Sequence, residues 1–322
     1  MTHHDREETM RRLCVVIVLT VLAAVVVRAD GWTSAAPMPE PKVLHGAATG
    51  SDGRVYVFGG TSNDGPPVTA SAFAYDVNAE AWTTVAPMAG GPRRYFACAS
   101  DANGLIYAIG GYDFSGPPVA LNRVERYDPQ LDRWTQLSPM PTRRQGPAAA
   151  TGLDGRIYVM GGTNTSYQTI AVTEVFDPAT STWTTVSPMN TPRTGFAAAA
   201  GPDGLIYVFG GYSGDAYLAT AEAYDPSSDT WTSISSMNEY RYGVAGVTGP
   251  DGRIYAIGGY EHGLSVEAYD PGSGLWTYVA SMSIGRAGHG ATLGPDGRIY
   301  ATGGEFLGLV EVYSLSASDS HQ

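Results

Sequence analysis

Cysteine is nearly absent from this chain: of 322 residues, only Cys14 and Cys98 carry a thiol. The Arg-Arg-Leu before Cys14 lacks the small residues of a lipid-attachment site. Cys98 alone remains beyond the N-terminal stretch, which excludes an internal disulfide framework and leaves packing to hold the molecule together. An excess of positive charge is lacking too. The formal net charge of −12 argues against general affinity for nucleic acid phosphates and for anionic membranes. No glycine-rich phosphate loop, nucleophile elbow or zinc signature occurs. The longest apolar run, residues 13–27, has fifteen residues, short of the eighteen or more expected of a membrane span.

That run is instead the size of a signal-peptide core. Arg11 and Arg12 precede it, and Val27 and Ala29 have the small side chains accepted before a cleavage site. Cleavage after Ala29 is expected, with an uncleaved signal anchor over residues 1–29 as the alternative. The expected location is secreted, periplasmic or cell-surface, with any membrane contact made only through that anchor.

What the sequence has in quantity is Gly (41), Pro (21) and Tyr (20), with 6 Trp, a composition of many short strands joined by tight turns. These residues recur in register. Paired glycines stand at Gly59-Gly60, Gly110-Gly111, Gly161-Gly162, Gly210-Gly211, Gly258-Gly259 and Gly303-Gly304. Tryptophans stand at Trp32, Trp82, Trp134, Trp183, Trp231 and Trp276. Between them fall Tyr75-Asp76, Tyr127-Asp128, Phe176-Asp177, Tyr224-Asp225, Tyr269-Asp270 and Tyr313. Three interlocked series, each of six members spaced 44 to 52 residues apart, define a structural repeat.

One unit shows the strands. Residues 195–200 form a narrow strand a, and Pro202-Asp203-Gly204 turns the chain into strand b at 205–209. Asp-Gly is a strong hairpin signal because both residues tolerate positive φ. Strand c is expected at 220–224, and Asp225-Pro226 leads into strand d near Trp231. Small side chains suit strands crowded round an axis, and Tyr and Trp fill the wider space between blades.

The order Gly-Gly, Tyr-Asp, Trp resembles the kelch repeat over residues 32–313. The resemblance implies an all-β fold, a six-bladed β-propeller of four-stranded antiparallel blades around a channel. Trp32 precedes any a, b or c strand of the region after residue 29, and the last unit stops after Tyr313 without a d strand. The N-terminal strand is therefore expected to complete the last blade and remove the open edges. The domain organisation that follows is residues 1–29 as signal peptide, 30–313 as propeller and 314–322 as tail.

Strands in a meander alternate direction, so the a–b and c–d turns share one face, and the b–c and d–a loops share the other. The turns are nearly uniform. The b–c steps shrink from 15 and 16 residues in the first two units to 10 and 9 in the last two, and variable loops on a rigid scaffold are where binding concentrates. The loop face is expected to be tall over blades 1 to 3 and low over blades 5 and 6.

A basic residue stands seventeen positions before each first Gly: Lys42, Arg93, Arg144, Arg193, Arg241 and Arg286. Glu125, Glu174, Glu222, Glu267 and Glu311 stand two positions before the Tyr marker, with Phe73 in blade 1. Such series can stitch the ring together by pairing, or present guanidinium groups to a ligand. The candidate binding set is Arg193, Arg241 and Arg286 from the series and Arg94 and Arg143, which are extra to it. The b–c loops add Tyr112, Tyr212, Tyr260, Glu261 and His262. His45 and His289 occupy equivalent strand-a positions in neighbouring blades, and packing is expected of them rather than metal binding.

The expected role is a binding module that recognises an extracellular protein or glycan on the b–c/d–a loop face, monomeric and without a cofactor. Kelch-type copper oxidases use seven blades, a crosslinked Tyr–Cys pair and a following domain, which this pattern does not match. The alternative is a carbohydrate-processing propeller resembling the six-bladed sialic acid mutarotases. Its chemistry would need an acid–base residue beside a carboxylate-binding Arg.

Overall fold

The structure is a computed structural model, and it describes residues 30–62, 67–113, 119–305 and 307–315. The expected signal peptide and the last residues of the tail lie outside these. Six four-stranded antiparallel sheets form the blades, and no helix occurs among the described residues. In blade 4 the strands run Ala197–Ala200, Ile206–Phe209, Ala221–Asp225 and Thr230–Ile234. The last blade pairs Gly290–Leu293, Ile299–Thr302 and Val310–Ser314 with the N-terminal strand Gly31–Ala35, in the register Trp32 to Tyr313. The N-terminal strand thus closes the ring.

Burial follows distance from the axis. In blades 1 to 4 the strands a alternate buried and half-buried residues, one set facing the channel. Strands b, such as Ile-Tyr-Val-Phe at Ile206–Phe209, are buried at every position, because neighbouring blades cover both faces. Each apolar cluster is a seam between two blades. Tyr56 and Phe58 of blade 1, for example, pack with Ile106, Tyr127 and Trp134 of blade 2. Tyr–Trp pairs on strands c and d stand with ring centroids 5.0 to 5.2 Å apart, within the range where tilted aromatic pairs attract.

Two repeated polar contacts lock this arrangement. Each Trp indole N–H donates to a carbonyl of the preceding blade, as Trp82 does to Ala36 and Trp134 to Ala86, both at 2.9 Å. Each strand-b Tyr hydroxyl donates to the Asp of its own a–b turn, as Tyr158 does to Asp154 at 2.6 Å and Tyr300 to Asp296 at 2.8 Å. The uniform turns are therefore anchoring points of the scaffold.

Candidate functional site

The series arginines lie inside the blades. Arg93, Arg144, Arg193, Arg241 and Arg286 all have zero exposure. Each guanidinium donates to the first Gly carbonyl of its own blade and pairs with that blade's Glu, as Arg144 does with Gly161 at 3.1 Å and Glu174 at 2.5 Å. Each arginine carbonyl accepts from the second Gly of the preceding blade, as Arg144 does from Gly111 at 3.0 Å. One residue thus ties two blades together. Burial pushes Arg93 down to about 10, with Glu125 working against the shift, so it remains a cation at neutral pH. Arg193, Arg241 and Arg286, taken from the sequence as candidate ligand contacts, are corrected here. Their guanidinium groups donate to Gly210, Gly258 and Gly303 and to Glu222, Glu267 and Glu311, and none reaches solvent.

Blade 1 solves the same problem differently. With Phe73 in place of Glu, Lys42 donates to Gly59 at 2.9 Å and pairs with Glu40 at 2.9 Å, its ammonium 5.2 Å from the Phe73 ring centre. The Lys42 carbonyl accepts from Gly304 at 2.8 Å, which completes the chain of contacts round the ring.

His45 and His289 fill the slot between blades that Phe96 and Phe196 fill elsewhere, each against a paired glycine of the preceding blade. Burial, with the charges of Lys42 and Arg286, pushes His45 down to about 3. Burial and the Arg286 charge likewise hold His289 well below the ordinary imidazole range. His262 lies apart from them on the loop face. Among the described residues no group of three or more His, Cys, Asp or Glu side chains could hold a metal ion.

At the axis, the loops entering strands a meet in a closed cycle. Leu44 N–H donates to Gly288, Gly288 to Gly243, Gly243 to Gly195, Gly195 to Gly146, Gly146 to Tyr95 and Tyr95 to Leu44, at 2.6 to 3.3 Å. All six have positive φ between 55° and 66°, a conformation that Gly adopts freely and that Leu44 and Tyr95 hold at some cost. This ring narrows the loop-face end of a channel of about 490 Å³ lined by small strand-a side chains, Cys98 among them.

The glycines of that cycle make room for tyrosines. A Cβ on Gly195 would stand 2.4 Å from the Tyr242 ring, so Tyr242 lies directly over the axial backbone. Burial raises the Tyr242 hydroxyl pKa, and hydrogen bonding to Tyr95 adds to it, linking a blade 2 loop to a blade 5 loop across the axis. From Tyr242 the aromatic surface continues to Tyr217 at 5.7 Å and Tyr260 at 5.8 Å between ring centres. Tyr217 stacks on Tyr240 at 6.1 Å with planes 11° apart, and Tyr240 meets His262 edge-on at 5.1 Å. The Tyr240 hydroxyl donates to Glu261. Glu239 accepts from Arg241 at 3.0 Å and Ser265 at 2.6 Å, and its other oxygen stands 3.4 Å from His262.

The structure thus brings Tyr212, Tyr260, Glu261 and His262 together at the corner of blades 4 and 5, as parts of one tyrosine platform. Arg94 and Tyr112 form a second group over blade 2, the guanidinium 5.9 Å from the Tyr112 ring centre. Arg143 stands exposed at the entry to blade 3. Residues 63–66 and 114–118, parts of the long b–c loops of blades 1 and 2, lie outside the described residues, so the expected tall side is not described in full. The sequence reading missed Tyr95, Tyr217, Tyr240, Tyr242 and Glu239. A signal existed for two of them: Tyr240 and Tyr242 flank the series Arg241, where the other blades have Pro41, Pro92, Arg143, Pro192 and Gly285 before the basic residue.

The profile of the KLHDC2/KLHL20/DRC7 Kelch-repeats domain matches residues 22–200, and the kelch motif matches 193–238 and 245–283. The chain belongs to the kelch-repeat family, whose propellers serve in general as protein-binding modules. It is similar to beta-scruin of Limulus polyphemus, 32% identical over 42% of this chain and 15% of that protein. It is also similar to Kelch-like protein 33 of Homo sapiens, 33% identical over 45% of this chain and 26% of that protein. The matched stretches are therefore small parts of those longer proteins. The solved structure of YjhT superposes with a TM-score of 0.72 at 18% identity, over 87% of this chain and 95% of that one, a likeness of fold.

Proposed function

We propose that this propeller is an exported binding module that engages a protein partner through the tyrosine platform on its b–c/d–a loop face. The observation that carries the reading is the concentration of exposed apolar surface at one corner. Tyr217, Tyr240, Tyr260, Leu264 and Ile284 are exposed by 52%, 39%, 51%, 50% and 38%, and all sit on the loops of blades 4 and 5. Contiguous apolar surface of this kind marks an interaction site, and tyrosines supply large contact areas at small entropic cost. Leu264 and Ile284 favour a protein over a sugar, since aliphatic side chains offer a glycan neither hydrogen bonds nor a flat ring.

Burial of the Arg and Glu series removes the acid–base pair that the mutarotase-like alternative would draw from it. Export is supported by the apolar run at residues 13–27 with its flanking Arg11 and Arg12. N-terminal sequencing of protein recovered outside the expressing cells checks it, with Asp30 as the expected first residue.

The binding reading is tested with residues 30–322 as bait. Substitutions Tyr217→Ala and Tyr260→Ala should abolish capture of a reproducible partner while leaving the thermal midpoint unchanged. Loss of capture on substituting the exposed c–d turn residues Glu80 or Leu131 instead would place the site on the opposite face.

A further inference from the structure

The charge around this corner narrows the kind of partner. The loops of blades 4 and 5 on this face carry Asp215, Glu239 and Glu261, and the arginines of these blades, Arg193 and Arg241, are wholly buried. Among the described residues no Lys or Arg pairs with Asp215 or Glu261. Glu239 is already committed to Arg241, Ser265 and His262, whereas the hydrogen bond described to Glu261 is that from the Tyr240 hydroxyl. An exposed carboxylate therefore stands beside the exposed rings of Tyr217 and Tyr240, in a chain of net charge −12. A cation is favoured twice in such a place. The carboxylate attracts it directly, and the electron-rich ring faces attract it through their quadrupoles.

We infer that the corner of blades 4 and 5 receives an arginine or lysine side chain of the protein partner, the charged head facing Glu261 and the stem lying on Tyr217 and Tyr240. The inference rests on the platform being the binding face. Arginine fits better than lysine, because its planar guanidinium both stacks on a ring and donates to a carboxylate in a fixed geometry. Tyr240 has a second role here as a positioning residue, its hydroxyl orienting Glu261.

The probe is a capped, fluorescently labelled Gly-Ser-Arg-Leu-Arg-Ser-Gly peptide, compared with the same peptide carrying citrulline for both arginines. Citrulline keeps the shape and loses the charge. Fluorescence anisotropy is measured at low and at physiological salt with the unaltered protein, Glu261→Gln, and Glu80→Gln. The last removes one charge from the opposite face and so controls for the field of the whole molecule.

The expected result is binding of the arginine peptide at least tenfold tighter than the citrulline peptide. Glu261→Gln should weaken it at least fivefold, and Glu80→Gln less than twofold. Equal losses for the two variants, or equal binding of the two peptides, would overturn the inference. If Tyr217→Ala and Tyr260→Ala abolish partner capture while Glu261→Gln leaves the peptide unaffected, the face stands and the cationic partner falls. If a neutral or acidic segment or a glycan competes for the platform and the arginine peptide does not, the inference falls by a different route.

Discussion

Replacing His45 and His289 by phenylalanine should make this propeller resistant to acid. Both imidazoles are buried between blades and neutral in the folded protein, His45 down to about pH 3 and His289 held well below the ordinary range. Unfolded, each regains an ordinary value near 6.5. Between about pH 6.5 and pH 3 the unfolded chain therefore binds protons that the native one refuses. The sign follows: stability contributed by a neutral buried histidine is full above pH 6.5 and is lost as the pH falls.

His45 removes about 1.36 kcal/mol per pH unit in that window. At pH 4.5, two units down, it alone costs roughly 2.7 kcal/mol, or about 5 °C in thermal midpoint for a domain of this size, and His289 adds a loss of the same sign. Phe96 and Phe196 occupy the same slot in blades 2 and 4 against equivalent glycines, so the rings fit. Differential scanning calorimetry at pH 7.5 and 4.5 on the unaltered protein and on His45→Phe/His289→Phe measures the effect. The double variant should retain at least those 5 °C at pH 4.5. Parallel losses in both proteins would refute the reasoning and assign acid sensitivity to the carboxylates.

Arg144→Ala should cost about 3–5 kcal/mol in urea denaturation, since it strands the buried Glu174 carboxylate without its cation and frees the Gly161 and Val172 carbonyls. The Cys98 thiol, pushed up to about 12 by burial, should be about one part in ten thousand ionised at pH 8. Its reaction with a chromogenic disulfide should therefore be negligible in the folded protein and rapid in denaturant, although Cys98 lines the channel.

Much of the fold was legible because kelch markers do local work. Each Tyr-Asp and Trp belongs to a hairpin whose contacts lie within one or two repeats, and Trp32 without a preceding a, b or c strand forced the ring to close through the N-terminal strand. The pairing of the Arg and Glu series was legible only as a possibility. Burial at zero exposure made it structural, and that withdrew Arg193, Arg241 and Arg286 from the candidate site.

Residue spacing alone carries the six repeats, their strand order, the closure through the N-terminal strand and which face bears variable loops. Where on that face the tyrosine platform forms is set by tertiary packing. Tyr95 belongs to blade 2 and Tyr242 to blade 5, and no periodicity relates them. They meet because six left-handed residues hydrogen-bond in a cycle at the axis, and because the glycine at Gly195 leaves space for a ring above it. Repeat spacing specifies neighbours along the chain. Juxtaposition across the axis depends on the number of blades and the closure of the ring, a property of the whole circle rather than of any one blade.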